Sequence, residues 1–524
     1  MKQTQTETTV KQPYTVANSL VNYYLAIMFS FFPLFLTEQY AHARLDKYWF
    51  YLIATGILVI SVGICMALSH NEAKRVGQSV PLIKPLSVTD VLTLCFLGFA
   101  VISTVFSPYP ADAFLGTGGR NNGLLLLLMY TLMYFTVTRN YVCKDYVFII
   151  YLSVSAIIAL LTVLNFFYID PLGMLEGYDE ATIADFGSTL GNKNIIAAFM
   201  CVYLPVSVMT FVVTENKILR IVSGVAIAFA YMGLLSADST SDILGLFVIL
   251  PVAAIFSARR FDYLRRYMLA MTILFLSGKL LLLFATAVGD HNKGFEFMQQ
   301  FLIYHPLTFV PIAVFGCLYL LMLLIGRKGD VRYPAKAVQI ILIILFSIGI
   351  IAAVSSFVYF SFVDTKTDLG NFKKLLRFDD YWGTHRGFMW RISFEEFGNY
   401  NFFQKFFGKG PDTVYFVLQP HFDELLNRFG DSSTDCAHNE YINYLLTQGA
   451  LGLTAYLGVM ITAIVRGLKA AKKNPMALAF IAAMIGYLSQ SVVNLYNPIV
   501  TPFLFIFLSL SEAISRKESG LYTK

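Results

Sequence analysis

Apolar runs recur along the whole chain, and short polar stretches separate one run from the next. Fourteen runs are candidates for membrane-spanning helices, since a helix needs about 20 predominantly apolar residues to cross a bilayer. They cover residues 18–36, 48–69, 88–106, 123–138, 146–167, 194–214, 219–236, 241–257, 267–287, 306–325, 337–363, 440–465, 475–493 and 497–514. Because backbone polar groups in lipid are satisfied within each helix, the pattern predicts an all-α, polytopic integral membrane protein with about 14 (12–14) transmembrane helices.

Three of these spans have the weakest signal. A polar Asp-Ser-Thr-Ser-Asp turn alone separates 219–236 from 241–257, and the span 267–287 contains Lys279. A charged side chain in the middle of a bilayer is costly. We therefore expect a buried partner or a water-filled cavity beside Lys279.

Composition agrees with a membrane protein. The 524 residues are 57% hydrophobic and 14% charged, with a mean hydropathy of +0.63, whereas soluble domains carry about 25% charged residues. Residues 1–17 are polar and are predicted to be a disordered cytoplasmic tail, and the first helix is expected to act as its own insertion signal. Only Cys436, of six cysteines, falls in a stretch assigned to the outside, so no disulfide framework is predicted.

The distribution of lysine and arginine predicts the orientation. With the N-terminus inside, the inner segments carry 24 Lys and Arg and the short outer loops carry 5. The positive-inside rule then places both termini in the cytoplasm. The resulting division is transmembrane helices 1–11 over 18–363, one large extracytoplasmic loop over 364–437, helices 12–14 over 438–514, and a cytoplasmic tail over 515–524.

The loop 364–437 is the longest polar segment. It contains two of the three tryptophans, and its residues 387–407 are predicted to form amphipathic helix at the membrane interface, with aromatic residues on one side and charges on the other. Loops of this length in compact proteins are more often functional than idle.

His438 stands where this loop meets the next apolar helix. His438, Ile442, Gly449 and Gly452 fall at helical spacing, so the imidazole and small residues that permit close packing share one face. Histidine titrates near neutrality, which suits a general base acting on a sugar hydroxyl. A structural role at a helix start is the alternative. Asn439 and Glu440 follow it directly and are candidate substrate contacts.

Four cations on the outer side are candidate contacts for an anionic substrate. Arg386 and Arg391 lie in the large loop, and a planar guanidinium matches phosphate oxygens. Arg120 lies in the glycine-rich turn 116–123, whose backbone N–H groups are expected to meet an anion, and Lys193 stands at a helix start. Ordinary interfacial anchors or a tight turn would also explain these residues.

Other patterns are less informative. Gly408-Lys409-Gly410-Pro411 is expected to allow close backbone approach. Asp238 and Asp242 would suit a divalent ion or a base, although a short polar turn is the favoured interpretation. The sequence contains no Cys/His metal spacing and no Gly-x-Ser-x-Gly elbow, so no metal and no cofactor are predicted.

The run His438-Asn439-x-Tyr441-Ile442-x-x-Leu445-x-x-x-Gly449-x-x-Gly452 resembles the signature of the O-antigen ligase and polymerase superfamily (the Wzy_C family, which includes the WaaL ligases). The resemblance covers roughly residues 105–512. Weaker matches follow in the family's order: Gly119-Arg120-x-x-Gly123, Leu190-Gly191-Asn192-Lys193-Asn194, Arg386-Gly387-x-x-Trp390, Gly408-x-Gly410-Pro411 and Asn497-Pro498…Thr501-Pro502.

The resemblance implies an inverting, metal-independent glycosyltransferase that uses undecaprenyl-pyrophosphate-linked glycans outside the cytoplasmic membrane. By that resemblance His438 acts on the acceptor hydroxyl and Arg386 clamps the pyrophosphate. The acceptor is a glycan, lipid or protein, the bilayer is the remaining partner, and no nucleic acid is expected. One departure is clear: the family often has Ser-Arg-Gly where this chain has Ser239-Thr240-Ser241 between two acids, which leaves the second cation open. Either Lys193 or Arg120 substitutes for it, or the acids indicate a different acceptor or a metal.

The function expected from the sequence is therefore transfer or polymerisation of a lipid-linked oligosaccharide in surface polysaccharide biosynthesis. A transporter or flippase for such lipids is the alternative, although the sequence has no inverted repeat and no paired broken helices. Ligase and polymerase are not distinguished.

Overall fold

The computed structural model is almost entirely helical over the residues that it describes, which are 2–75, 77, 84–289, 291–327 and 332–520, with side chains from residue 16 onward apart from 41 and 240. The helices are α1 (Lys2–Leu34), α2 (Ala43–Arg75), α3 (Val88–Val105), α4 (Pro110–Leu115), α5 (Leu124–Asn140), α6 (Asp145–Phe166), α7 (Glu180–Asp185), α8 (Lys193–Val213), α9 (Lys217–Ala237), α10 (Thr240–Ser257), α11 (Phe261–Val288), α12 (Phe297–Tyr304), α13 (Phe309–Gly326), α14 (Ala335–Val358), α15 (Lys373–Leu376), α16 (Trp382–Asn399), α17 (Phe402–Phe407), α18 (Val414–Leu418), α19 (Phe422–Phe429), α20 (Glu440–Ala470), α21 (Ala477–Gln490) and α22 (Thr501–Glu518). Strands β1 (Phe186–Gly187) and β2 (Gly191–Asn192) form a small antiparallel hairpin.

Each of the fourteen predicted spans coincides with a helix. Ten helices of the described chain are long and apolar enough to cross a membrane. The other four are α5, α10, α21 and α22, which are shorter or more polar. The all-α class is thus confirmed, and the apolar helices fit a membrane protein.

Both ends of the chain differ from their predicted boundaries. The backbone of α1 is helical from Lys2, within the stretch predicted as a disordered tail. At the other end α22 continues to Glu518, and Arg516, predicted to lie in a cytoplasmic tail, is fully buried. The reason is a charge cluster: Asp90 accepts hydrogen bonds from Arg516 at 2.6 Å and from Arg139 at 2.9 Å.

The centre of the bundle is α8. Of its most apolar 18 residues, 94% are buried. The helix packs against α9, α10 and α21. By contrast, none of the described residues of α13 and α14 is buried. These two helices lie at the periphery, so the packed body of the bundle is built from the other helices.

Lys279 has the buried partner that its position in α11 required. Its Nζ donates to the backbone carbonyls of Ile303 at 2.7 Å and His305 at 3.4 Å, and it lies 4.7 Å from the ring centre of Phe309. These carbonyls end α12, where the helix dipole is negative and a cation is favoured. The lysine therefore fastens α12 to the bundle.

The large loop folds into a packed unit at the start of α20. Its helices α16, α18 and α19 enclose an apolar core that includes Phe388, Ile392, Val414, Leu418 and Leu425. The same core takes in Ile442 and Leu446 of α20. Helix α17 presents Phe402 with 81% of its surface exposed, and the amphipathic character of residues 387–407 stays a prediction. Because this core is shared, the loop holds a fixed position at the mouth of α20.

Helix α20 is broken at Gly449, which has φ 69° and ψ −174°. The break frees the carbonyls of Leu446 and Thr447, which accept hydrogen bonds from the backbone N–H groups of Lys409 at 3.1 Å and Gly410 at 2.8 Å. A Cβ at Gly449 would lie 2.3 Å from the backbone of Phe406. The predicted close approach is therefore made by the end of α17 and the turn after it, which dock into the break.

Candidate functional site

His438 is held in a left-handed backbone conformation, with φ 49°, directly before the cap of α20. Asn439 caps the helix through its Oδ1, which accepts from the N–H groups of Tyr441 at 3.0 Å and Ile442 at 3.1 Å. Asn443 then reaches back to accept from Ala437 N–H at 2.8 Å. The chain is thus tied on both sides of His438, which lets a residue other than glycine keep a positive φ.

The imidazole of His438 has a buried, unused nitrogen. Its Nδ1 has no hydrogen-bond partner among the described residues. Burial first, and then the positive charges of Arg386 and Arg120, lower the pKa of His438 to about 3, although the Asp435 carboxylate opposes this effect. The ring is therefore neutral at ordinary pH and has a lone pair for a proton.

Arg386 is a buried cation whose charge is not balanced by an ion pair. It is 8% exposed, and no carboxylate oxygen of the described chain lies within 4.0 Å of its guanidinium. Nη1 donates to the Gly383 carbonyl at 3.1 Å, while Nε has no partner among the same residues. Burial lowers the pKa of Arg386. A desolvated guanidinium with unused donors is costly unless an anion completes it.

A left-handed turn presents Arg386. Gly383, Thr384 and His385 have φ values of 60°, 58° and 66°, and helix α16 continues normally from Arg386 onward. For a β-branched residue such as Thr384 this conformation is strained. Gly387 has no room for a side chain, because a Cβ would lie 1.9 Å from the Asp379 carbonyl oxygen. Strain and close packing together fix where the arginine points.

The glycine-rich turn before α5 already holds a carboxyl group, and it comes from the chain itself. Asp412 Oδ2 accepts from the backbone N–H of Arg120 at 2.7 Å and of Asn122 at 2.9 Å. Gly119 is needed there, since a Cβ would lie 2.5 Å from the Asp412 carboxylate. Burial raises the pKa of Asp412 to about 7, against the lowering effect of these two N–H groups. The amides predicted to meet a substrate anion are therefore occupied.

The side chain of Arg120 remains next to His438. Its Nε donates to both oxygens of Asp435 at 2.9 Å, and the side chain is 26% exposed. Burial acts to raise the pKa of Asp435, but the charge of Arg120 and this hydrogen bond hold the pKa below its ordinary value. Asp412 and Asp435 were not assigned roles from the sequence, although Asp435 opens the His438 stretch and Asp412 follows the Gly408–Pro411 turn. In the sequence, the signal that could have pointed to these two aspartates was their position next to those two motifs.

Three further predicted residues have internal partners. Asn439 is the helix cap described above. Glu440 is fully buried, and its carboxylate accepts from Tyr456 Oη at 2.7 Å and from Ser491 Oγ at 2.8 Å. Arg391 pairs with Glu424 at 2.9 Å and with Asp380 at 3.2 Å. These contacts support structural roles for all three, and their contact with a substrate stays a prediction.

Lys193 lies in a second polar region. Its Nζ pairs with Asp185 at 2.8 Å. Next to it, Ser239 Oγ donates to Asn194 Oδ1 at 2.7 Å, which joins the stretches 188–194 and 236–242 that the sequence treated separately. Asp242 caps α10 through the Ser239 N–H. Within the described residues no group of three or more His, Cys, Asp or Glu side chains is placed to hold a metal ion.

The segment between α21 and α22 connects the two regions. Its Tyr496 carbonyl accepts from Asn122 Nδ2 at 3.2 Å, next to Arg120. Its Asn494 Nδ2 donates to the Asn194 carbonyl at 2.8 Å, next to Lys193. We call residues 491–500 the outer strap. Through it, the His438 region and the Lys193 region belong to one polar surface at the same end of the bundle.

Comparison with models of protein families and with curated proteins gives no match. The resemblance noted in the sequence therefore rests on its motif residues. Of these, the structure brings His438, Arg386 and Arg120 together, and it places Lys193 and Arg391 in other surroundings. A neutral imidazole beside two guanidinium groups can accept a proton while the cations hold an anion.

Proposed function

We propose that this protein is a membrane glycosyltransferase of the O-antigen ligase type. It transfers or polymerises an undecaprenyl-pyrophosphate-linked oligosaccharide on the outer side of the cytoplasmic membrane, in surface polysaccharide biosynthesis. The observation that supports this most is Arg386, which is buried, has no carboxylate partner among the described residues and acts electrostatically on His438. A buried unpaired arginine is expected where the missing partner is an anionic substrate.

The proposed reaction is a single inverting displacement. The acceptor hydroxyl oxygen forms a bond with the anomeric carbon, and its proton passes to the neutral imidazole of His438. The bond between that carbon and the pyrophosphate oxygen breaks, and the electron pair stays with undecaprenyl pyrophosphate. Arg386 and the free end of Arg120 stabilise the negative charge that develops on the leaving group.

Substrate binding also prepares the base. In the free protein the two arginines lower the pKa of His438. A pyrophosphate placed against both guanidinium groups offsets their field, so the pKa of the imidazole rises towards its ordinary value. The base thus becomes stronger when the donor is bound.

The proposed topology has fourteen spans and two cytoplasmic termini. It is supported by the coincidence of all fourteen predicted spans with helices and by the 24-to-5 distribution of Lys and Arg. This topology puts His438 and Arg386 on the outer side, where a lipid-linked glycan would be used after its transfer across the membrane.

A transporter of lipid-linked glycans is the second candidate, and one observation favours it: α20 is broken at Gly449, and transporters often bind substrates at broken helices. However, the break is filled by the chain itself. The carbonyls of Leu446 and Thr447 accept hydrogen bonds from Lys409 and Gly410. Because these carbonyls already accept hydrogen bonds within the chain, they are not free to bind a transported substrate. The break instead helps to hold the proposed enzyme site.

Surface-glycan analysis tests the proposal. A gene deletion is complemented with the wild type or with His438→Ala, and glycans are examined by gel ladder and mass. Loss of long chains with single repeat units still attached to the acceptor indicates a polymerase. Complete chains accumulating on undecaprenyl pyrophosphate indicate a ligase. An unchanged glycan profile in the deletion strain would remove both candidates. Loss of glycans in the deletion strain that His438→Ala restores fully would remove the proposed enzyme site and favour the transporter.

A further inference from the structure

A cavity opens at the outer end of the bundle beside Lys193. The end of α6, the β1–β2 hairpin, the start of α8, the end of α9 and the segment before α12 enclose it. Its polar lining consists of Lys193, Lys293, Asp185, Asp238 and Ser236. Phe166 and Phe186 contribute aromatic surface. The proposed transfer site at His438 uses none of these side chains.

The charges around this cavity cancel, because two lysines face two aspartates. Lys193 pairs with Asp185 at 2.8 Å, and Lys293 Nζ donates to the Phe186 carbonyl at 2.6 Å. Burial lowers the pKa of Lys293 to about 8 and raises the pKa of Asp238 to about 6. A neutral, mixed lining of this kind does not favour a pyrophosphate, which needs an excess of cations.

Two polar side chains in the lining have hydrogen-bonding capacity that no described residue uses. Ser236 is 5% exposed, yet its Oγ has no hydrogen-bond partner among the described residues. Asp238 uses Oδ1 to accept from the Glu296 N–H at 2.8 Å, and its carboxylate keeps further acceptor capacity. A buried hydroxyl without a partner is costly, so a ligand that supplies one is favoured.

We infer that this cavity is a glycosyl-binding subsite that takes an uncharged or zwitterionic sugar residue of the glycan substrate. Sugar hydroxyls are both donors and acceptors, and they match a lining of hydroxyl, carboxylate and ammonium groups, while the half-buried Phe186 offers apolar surface to a ring face. This inference rests on the proposed function. The outer strap connects the cavity to the His438 region, so a glycan extending from the transfer site has a second point of attachment.

Saturation-transfer NMR on the full chain in nanodiscs provides the test. The probes are methyl glycosides of glucose, galactose, rhamnose and N-acetylglucosamine, with inorganic pyrophosphate as the anionic comparison. Asp238→Asn removes the charge, keeps an acceptor for Glu296 and tolerates the φ of 51° found there. Ser236→Ala removes only the hydroxyl. Asp364→Asn, in the large loop and outside the cavity lining, is the matched control for the loss of a carboxylate charge.

We expect at least one glycoside to bind, and either cavity variant to weaken it about threefold to tenfold, as for the loss of one hydrogen bond. Binding should survive in His438→Asn and in Asp364→Asn, and pyrophosphate should not compete. The inference is overturned if no glycoside binds, if both cavity variants bind like the wild type, or if pyrophosphate displaces the glycoside.

A second arm identifies the origin of the sugar. The probe is undecaprenyl pyrophosphate carrying the sugar of the best glycoside. If this lipid displaces the glycoside from the wild type, the subsite belongs to the donor glycan. If the protein binds the lipid and the glycoside at the same time, the subsite belongs to the acceptor. A failure of the proposed function would be seen in a different measurement. Glycan transfer would then stay intact in His438→Ala, whichever glycosides the cavity variants bind.

Discussion

The Nε–H of Arg120 donates to both carboxylate oxygens of Asp435 at 2.9 Å, across 315 residues of sequence. This contact fixes the guanidinium beside His438. Asp435→Asn keeps the size of the side chain and removes its charge. Because charge-assisted hydrogen bonds contribute about 1.5–3 kcal/mol, transfer is expected to slow by about 10-fold to 100-fold. Steady-state kinetics with a lipid-linked donor measures this, and rates equal to those of the wild type would remove Asp435 from the site.

The Arg386 side chain is expected to lower the stability of the folded protein and to be needed for glycan transfer. It is a buried guanidinium without an ion pair in the described chain, and such a group destabilises the free protein. Arg386→Met fills the same space without the charge. We expect transfer to be lost and the unfolding temperature in detergent to rise, by an amount corresponding to about 1–3 kcal/mol.

Arg386→Lys separates charge from geometry. An ammonium cannot reproduce the planar fork, so transfer should remain low although a cation is present. Arg391→Lys is the matched control, because Arg391 is paired with Asp380 and Glu424. Normal kinetics in Arg386→Lys, or a greater loss in Arg391→Lys, would contradict the assigned roles.

The pH dependence of the free protein should lack the usual histidine transition. The pKa of His438 is lowered to about 3 from an ordinary 6.5. The rate constant kcat/KM is therefore expected to show no acidic inflection near pH 6.5. An inflection near pH 6.5 in the wild type would mean that His438 is protonated in the free protein, contrary to its burial beside the two cations.

The same shift gives a signed prediction for stability. Because the folded state disfavours the imidazolium, the stabilising contribution is complete above pH 6.5 and is lost as the pH falls towards 3. His438→Asn removes the titrating group. Its unfolding temperature should therefore fall less steeply between pH 6.5 and pH 4 than that of the wild type, as followed by thermal scans in one detergent. Parallel slopes would show that other groups dominate.

The sequence predicts the features that depend on neighbouring residues. It does not predict contacts between residues that lie far apart in the chain. The spans could be predicted because apolar length is a property of each segment alone. The position of Asp412 under the Arg120 turn could not, since 292 residues separate the two. The pairing of Arg391 with Glu424 could not be predicted for the same reason, because 33 residues separate the two. His438 and Arg386 could be singled out because each lies within a distinctive short run, and their roles in transfer stay predictions.

The last prediction concerns the break in α20. Gly449→Ala places a side chain at φ 69° and 2.3 Å from the Phe406 backbone, so α17 has to move away from the helix. Gly63→Ala is the matched control, because Gly63 lies within α2 and a Cβ there meets nothing within 4 Å. In a helix, alanine is more favourable than glycine by up to about 1 kcal/mol.

The two Gly→Ala substitutions each add one methyl group, and we expect them to have opposite effects on stability. Gly449→Ala should lower the unfolding temperature and transfer activity together, since the Gly408–Pro411 turn is followed at once by Asp412, which holds the Arg120 turn. Gly63→Ala should leave activity unchanged and stability equal or higher. If Gly449→Ala folded and worked normally, the docking of α17 into the break would not support the site, and the position of Arg120 would have to depend on Asp435 alone.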